Sequence, residues 1–263
     1  PTTSPKKVHI IGGGIGGMEA ARVLKLRGHE PVIHEQTDHL GGTFIAASAE
    51  SYKGKLRDLL TWYRKQMTDL GIEIHYNEKV ESIDPFADAP VIIATGAVPR
   101  VLKKVPGHEK MVEACEYLTG TPVGEKVAVI GGGMVGCETA EYLAARGCKV
   151  SVIEMMDKIA AGESVTILPT LLENYKTYGV EQYPSHKVKE FRMDAVVCEN
   201  KDGAEVTIPC DYIVLAMGAR SNEFDAAALE AAGIPVYSIG DAAGKAADIS
   251  NAIRTGYDTA CQL

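Results

Sequence analysis

Two glycine-rich loops carry the chemistry this chain could perform. Ile11-Gly12-Gly13-Gly14-Ile15-Gly16-Gly17 opens the first, and Ile130-Gly131-Gly132-Gly133-Met134-Val135-Gly136 opens the second. The offset of 119 positions, Gly12 to Gly131, persists without a gap. Glu19 maps to Glu138, Arg27-Gly28 to Arg146-Gly147, and Glu35 to Glu154. A single Gly-x-Gly-x-x-Gly is weak evidence, because glycine-rich turns are common. Two copies in one register, each followed 23 residues after its first glycine by a Glu, are strong evidence for two dinucleotide sites.

Each residue type has a physical task in such a site. The first glycine (Gly12, Gly131) permits the tight turn from strand to helix. The second (Gly14, Gly133) lets a pyrophosphate approach the backbone, and the third (Gly17, Gly136) lets helix and strand pack closely. The helix N-terminus adds unpaired N–H groups and the positive end of its dipole. Glu35 and Glu154 end the next strands, where a carboxylate can accept hydrogen bonds from the hydroxyls of an adenosine ribose. Two dinucleotides in one small protein imply hydride transfer between two cofactors.

The elements that must position these residues are legible as periodic runs. Val8–Ile11, Pro31–Glu35, Val127–Ile130 and Val150–Glu154 read as buried parallel strands. Val91–Gly96 and Val214–Gly218 read as a further matched pair. Val236–Asp241 has no counterpart in the second repeat, so it is expected to return to the first domain. Helices alternate with these strands. Lys53–Leu70 places Leu56, Leu59, Leu60, Tyr63, Met67 and Leu70 on one face, and Pro169–Tyr178 repeats the pattern with Leu171, Leu172, Tyr175 and Tyr178. Asn200-Lys201-Asp202-Gly203 marks a hairpin within Val196–Val206. The expected fold is α/β, with two Rossmann-like three-layer dinucleotide-binding domains, the second inserted in the first. Domain one takes residues 1–118 plus 219–263, and domain two 119–218. The crossovers lie near Pro99–Gly107, Gly120–Gly124 and Gly218–Asn222.

Composition narrows the class. With 263 residues, 46% hydrophobic and 24% charged, the chain has the profile of a globular protein of one large or two ordinary domains. A net charge of −8 argues against nucleic acid or an anionic membrane as partner. No apolar run reaches the ~18 residues of a membrane span, and no signal-peptide pattern opens the chain, so a cytoplasmic setting is expected. A chain that opens on Pro1-Thr2-Thr3-Ser4-Pro5 reads as a processed or excised piece. The six cysteines, Cys115, Cys137, Cys148, Cys198, Cys210 and Cys261, show no Cys-x-x-Cys or other cluster spacing, and the seven histidines are scattered. No metal site and no cysteine-based redox chemistry are expected.

The residues resemble those of flavoproteins with two dinucleotide-binding domains, whose hallmarks include an Ala-Thr-Gly (94–96) and a Gly-Asp (240–241). More narrowly, the chain resembles the C-terminal module of the NADH:flavin oxidoreductases related to old yellow enzyme. These include 2,4-dienoyl-CoA reductase, 2-enoate reductase and, more distantly, trimethylamine dehydrogenase. The matching stretches are Gly12–Gly17 with Met18–Ala21, Leu40-Gly41-Gly42, Val129–Glu138, Ile239–Ala242 and Asn251–Arg254, and the match runs from about residue 6 to the C-terminus.

The resemblance implies that the first domain binds FAD and the inserted one NAD(P)H, with NADH favoured by Glu154. Gly12, Gly14 and Gly17 are implied at the FAD pyrophosphate and Glu35 at its ribose. Gly41, Gly42, Thr95 and Gly96 approach the flavin side, and Gly240-Asp241 the ribityl or pyrophosphate end. Thr43 stands where many relatives carry Gln. Gly131, Gly133, Met134, Val135, Gly136, Glu154 and Gly218 are implied at the nicotinamide nucleotide. Glu138 is open to two roles: touching the nicotinamide end, or favouring the helix N-terminus electrostatically. No residue of this chain is expected to act as a catalytic acid, base or nucleophile. In the family the N-terminal half is a barrel carrying FMN and a 4Fe–4S cluster. This chain is therefore expected to be the electron-entry module of an enzyme whose barrel lies elsewhere, on the same or a partner chain, with homo-oligomerisation open. The competing reading is a nucleotide-binding module without redox chemistry, as in the ADP-holding region of trimethylamine dehydrogenase.

Overall fold

The computed structural model describes the chain except residues 1, 51, 52, 83, 119, 121–123, 162, 163, 165, 223, 245 and 246; the side chains at 84, 110, 113, 115, 117 and 228 are also outside the description. The Gly120–Gly124 crossover and the Cys115 side chain therefore lie largely outside the described residues. The chain divides into two compact units, Pro1–Val98 with Ala219–Leu263, and Pro99–Gly218.

The first unit begins with β1 (Lys7–Ile11), α1 (Ile15–Arg27), β2 (Glu30–His34), α2 (Phe44–Ala47), α3 (Gly54–Asp69), β3 (Glu73–His75), β4 (Val91–Ile93) and β5 (Ala97–Pro99). The second unit contributes β6 (Met111–Glu113), α4 (Ala114–Leu118), β7 (Lys126–Ile130), α5 (Met134–Ala144), β8 (Lys149–Ile153), α6 (Leu168–Tyr178), β9 (Glu181–Tyr183), β10 (Lys187–Phe191), β11 (Ala195–Glu199), β12 (Glu205–Pro209) and β13 (Tyr212–Leu215). The chain then returns as β14 (Ala219–Ser221), α7 (Ala227–Ala231), β15 (Val236–Ser238) and α8 (Ile249–Gln262).

In the first unit the sheet order is β15-β4-β1-β2-β3, and all pairings are parallel. The returning strand β15 joins it beside β4. Period-two alternation splits each strand between two faces. Val8, Ile10, Ile33 and Ile92 pack with Met18, Leu24, Leu60, Tyr63 and Met67 of α1 and α3. Ile11, Val91 and Ile93 turn the other way, onto Phe86 and Leu229. The apolar stripe of α3 is core, as its spacing predicts. Gly28 ends α1 in the left-handed conformation (φ +95°), with its N–H on the Leu24 and Lys25 carbonyls.

The second unit repeats the plan with order β6-β13-β7-β8-β9, again parallel in every pairing. Val127, Val129, Val150, Val152 and Val214 bury against Cys137, Ala140 and Leu143 of α5 and Leu171 and Tyr175 of α6. The opposite face, Ala128, Ile130, Ile153, Ile213 and Leu215, is covered by the antiparallel sheet β10-β11-β12 through Phe191, Val196, Cys198 and Ile208. The hairpin expected at 200–203 thus closes a third layer. One boundary differs from the sequence expectation: residues 99–118, assigned there to domain one, belong to the second unit. The reason is strand pairing. Met111–Glu113 aligns with Ile213–Leu215 as an edge strand, a three-residue strand too short to show a period.

Candidate nucleotide-binding sites

In the first unit the glycine loop has the shape its sequence requires. Gly12 has φ +110°, and a Cβ there would run into the Ala94 carbonyl. A Cβ on Gly17 would strike the Gly12 carbonyl oxygen. Gly14 opens α1, and nothing lies within 4 Å of where its Cβ would stand. The backbone there is open to an anion, while the first amides of α1 lack helical partners.

Glu35 is buried, at 6% exposure, and its carboxylate is held from three directions. Oε2 accepts the Gly13 N–H at 2.8 Å, and Oε1 accepts the Thr37 N–H and Oγ1–H, each at 2.8 Å. A carboxylate has about four acceptor positions, so about one remains for a ligand hydroxyl. Gly41 donates to the Gly13 carbonyl at 2.9 Å and bridges Gly14. Gly42 is exposed, with φ +52°, and its Cβ would come within 3.4 Å of Gly14 Cα. The Gly41–Gly42 turn thus closes on the fingerprint, and Thr43 is exposed at the start of α2.

The Thr95–Gly96 turn is tied to the returning segment. Thr95 Oγ1 donates to the Asn222 carbonyl at 3.0 Å, and Asn222 N–H donates to the Gly96 carbonyl at 2.9 Å. Gly240 N–H donates to Thr255 Oγ1 at 2.8 Å, and Asp241 Oδ1 accepts the Ala247 N–H at 2.8 Å. Gly240 and Gly16 both pack on Ala252 of α8, which brings the Gly240–Asp241 pair to the α1 side of the unit.

The second unit repeats the arrangement. Gly131 has φ +106° against the Ala216 carbonyl, a Cβ on Gly136 would strike the Gly131 carbonyl oxygen, and Gly133 opens α5 with space around it. Glu154 Oε2 accepts the Gly132 N–H and Oε1 the Met156 N–H, both at 2.7 Å. About two acceptor positions remain, and the residue is only half-buried. Met134, Val135, Met155 and Met156 are exposed beside these loops. Gly218 is exposed at φ +75°, and its carbonyl accepts the Arg100 N–H at 3.0 Å. Glu138 is half-buried in the second turn of α5.

Both sites therefore fit a dinucleotide: an open glycine backbone at a helix start and an oriented carboxylate with acceptor capacity to spare. Sequence reasoning missed Thr37 and Met156, whose amides hold those carboxylates. Each stands two residues after its Glu, and that repeated spacing was the available signal. It also missed Thr255 under Gly240.

Cys137, Cys198 and Cys210 are buried in the apolar cores of the second unit. Burial pushes the Cys198 thiol up to about 12 and that of Cys210 up to about 11, and burial raises Cys148 too. Cys137 Sγ, in the first turns of α5, donates to the carbonyl of Gly132 in the glycine loop at 3.3 Å.

Comparison with known proteins places this geometry. The model of the pyridine nucleotide-disulphide oxidoreductases matches residues 6–256. The chain is 40% identical to a bilirubin reductase of Mediterraneibacter gnavus over 98% of its length and 41% of the relative's. It is 34% identical to an NADH oxidase of Thermoanaerobacter brockii, again over 98% of this chain and 41% of the relative. Among solved structures, 2-naphthoyl-CoA reductase in complex with 2-naphthoyl-CoA superposes with a TM-score of 0.88 at 30% identity, covering 100% of this chain and 40% of that one. The chain thus spans about two fifths of the length of these relatives. Its duplicated loops, its two parallel sheets and the match over nearly its whole length agree: the chain belongs to the pyridine nucleotide-disulphide oxidoreductase family.

Proposed function

We propose that this chain is the electron-entry module of a larger NADH-dependent flavin oxidoreductase. The first unit holds FAD and the second NADH, and the electrons pass on to FMN and an iron–sulfur cluster in a barrel outside this chain. The observation that carries the reading is the duplicated latch, Gly13 to Glu35 and Gly132 to Glu154, each beside an open helix start. Bound FAD supplies the chemistry, taking two electrons as hydride and releasing them singly.

The chain's own residues bind and orient. Gly12, Gly14 and Gly17 admit the FAD pyrophosphate to the α1 amides, and Glu35 takes a ribose hydroxyl. Gly41, Gly42, Thr43, Thr95 and Gly96 line the flavin side, while Gly240 and Asp241 face the ribityl end. Gly131, Gly133, Met134, Val135, Gly136 and Gly218 hold NADH, with Glu154 on its ribose and Glu138 toward its nicotinamide end. The relatives named reductase and NADH oxidase support this reading, and a redox-silent module would have no use for the intact second latch.

The test uses the full-length protein. It should contain iron, FMN and FAD together, and anaerobic NADH should bleach the flavin absorbance. Binding of both nucleotides without any bleaching would leave nucleotide binding alone as the function.

A further inference from the structure

Three histidines scattered in the sequence converge on one edge of the first unit's sheet. His34 ends β2 and His75 ends β3, and the two are register partners on neighbouring parallel strands. Glu78 follows in the turn after β3. Its Oε2 lies 3.1 Å from His34 Nδ1 and 2.9 Å from His75 Nδ1. One ligand atom from each of the three residues falls within 4.8 Å of the others. A tetrahedral ion with ~2.0–2.1 Å bonds needs edges of roughly 3.3 Å, within reach of a small rotation of the exposed His75.

The surrounding hydrogen bonds are compatible with a tautomer set that suits metal ligation. His34 Nε2 is 2.9 Å from His9 Nδ1, and His9 Nε2 is 3.5 Å from Asp88 Oδ1. His75 Nε2 is 2.8 Å from Glu73 Oε1. Protons on the three Nε2 atoms satisfy this chain, and in that tautomer set both Nδ1 atoms beside Glu78 are free to ligate a cation. This is the outer shell of a metal-ligating histidine, whose second nitrogen is held by a carboxylate or another acceptor. The His34 side chain is 3% exposed, and its Nδ1 makes no directed hydrogen bond despite its closeness to Glu78. The two Nδ1 atoms and the Glu78 carboxylate face one another closely enough for either a proton on nitrogen or a shared cation to join them. Phe86 packs in a tilted arrangement against both His9 and His34, with centroids at 4.7 and 4.6 Å, and restrains their rings.

We propose that His34, His75 and Glu78 form a site for a divalent transition-metal ion of the zinc class, completed by solvent on the exposed side of His75. Two imidazoles and a carboxylate are ligands that zinc accepts. The site goes beyond the sequence expectation of no metal site, because His34 and His75 are brought together only by strand register. Its role is structural. Glu35 N–H donates to the His75 carbonyl, Glu78 N–H to the Glu35 carbonyl and Asn77 N–H to the Thr37 carbonyl, each at 2.9 Å. The ion therefore clamps the turn on which the Glu35 latch rests. Metal binding itself stands independently of the flavin reading.

Zinc sulfate titrated calorimetrically into the full-length protein at neutral pH, after transfer to metal-free buffer, tests this. His75→Gln and Glu78→Gln should each bind one zinc fewer per chain than the unaltered protein. Glu73→Gln should keep the stoichiometry with ~10–100-fold weaker affinity, and His39→Gln, an exposed histidine outside the cluster, should change nothing. Zinc should raise the melting temperature of the unaltered protein more than that of His75→Gln. Both ligand positions are solvent-accessible, so these variants should fold, and their melting curves without zinc check that they do. Equal zinc stoichiometry and affinity in all variants, or no zinc uptake by the unaltered protein, overturns the proposal.

Discussion

The Gly132 amide donates to Glu154 Oε2 at 2.7 Å, and Gly13 donates to Glu35 Oε2 at 2.8 Å in the same manner. The latch joins the middle of each glycine loop to the end of the following strand. It fixes, in one contact, the loop proposed to face a pyrophosphate and the carboxylate proposed to face a ribose. The copies differ at one point. Thr37 adds a hydroxyl donor to Glu35, whereas Met156, its counterpart, offers Glu154 only an amide. The first latch is therefore the more rigid and the second the more available to a ligand that comes and goes.

Glu35→Ala is expected to weaken FAD binding. A hydrogen bond to a charged group is worth ~1.5–3 kcal/mol, or roughly 10–150-fold in affinity. The Gly13 and Thr37 donors also lose their acceptor. Flavin content after extensive dialysis reads this out, and retention equal to that of the unaltered protein counts against the assignment. Thr37→Val removes one donor of three and should have a smaller effect in the same assay.

NADH should be preferred over NADPH. The Glu154 carboxylate suits a free 2′-hydroxyl and repels a 2′-phosphate. Met155, Met156 and Asp157 follow it, with Lys158 the nearest cation in sequence. Glu154→Ala should raise the KM for NADH and narrow the gap between the two nucleotides. Equal kcat/KM for both in the unaltered protein sinks the idea.

Cys198 and Cys210 should be slow to react, and all six cysteines dispensable for electron transfer. Thiolate is the reactive species, and burial holds Cys198 and Cys210 as thiols far above neutral pH. Iodoacetamide should label them only after denaturation, and replacement of all six by Ser or Ala should leave NADH-to-dye transfer intact in whatever fraction folds. Selective loss of transfer through a single cysteine, in a folded and flavin-loaded variant, refutes this.

Acid should destabilise the first unit through His29. Burial, aided by Arg27 and Lys6, pulls its pKa below the ordinary value, and its buried Nε2 has no hydrogen-bond partner. The unfolded chain then binds the proton more readily than the folded one. Stability is full above the unfolded value of ~6.5 and falls as the pH drops from there toward the folded-state value. His29→Gln should flatten that part of the melting-temperature profile. An unchanged slope in a folded variant rules out His29 as its source.

The sequence by itself determined the fold class and the two glycine–carboxylate constellations. A Gly-x-Gly-x-x-Gly turn, a buried strand and a carboxylate at its end are local patterns, and their repetition in one register made each copy evidence for the other. Gly12 and Gly131 were readable because only glycine tolerates that φ beside the next strand's carbonyl. Tertiary structure decided what depends on pairing between distant segments. Residues 99–118 joined the second unit through a three-residue edge strand opposite Ile213–Leu215, too short to show a period. His9, His34 and His75 sit on three adjacent strands, and the pleat turns His9 and His34 toward the Phe86 side. Strand order and register lie in non-local hydrogen bonds, which no local spacing encodes; that is why the glycine latches could be read from the chain and the histidine cluster had to wait for its fold.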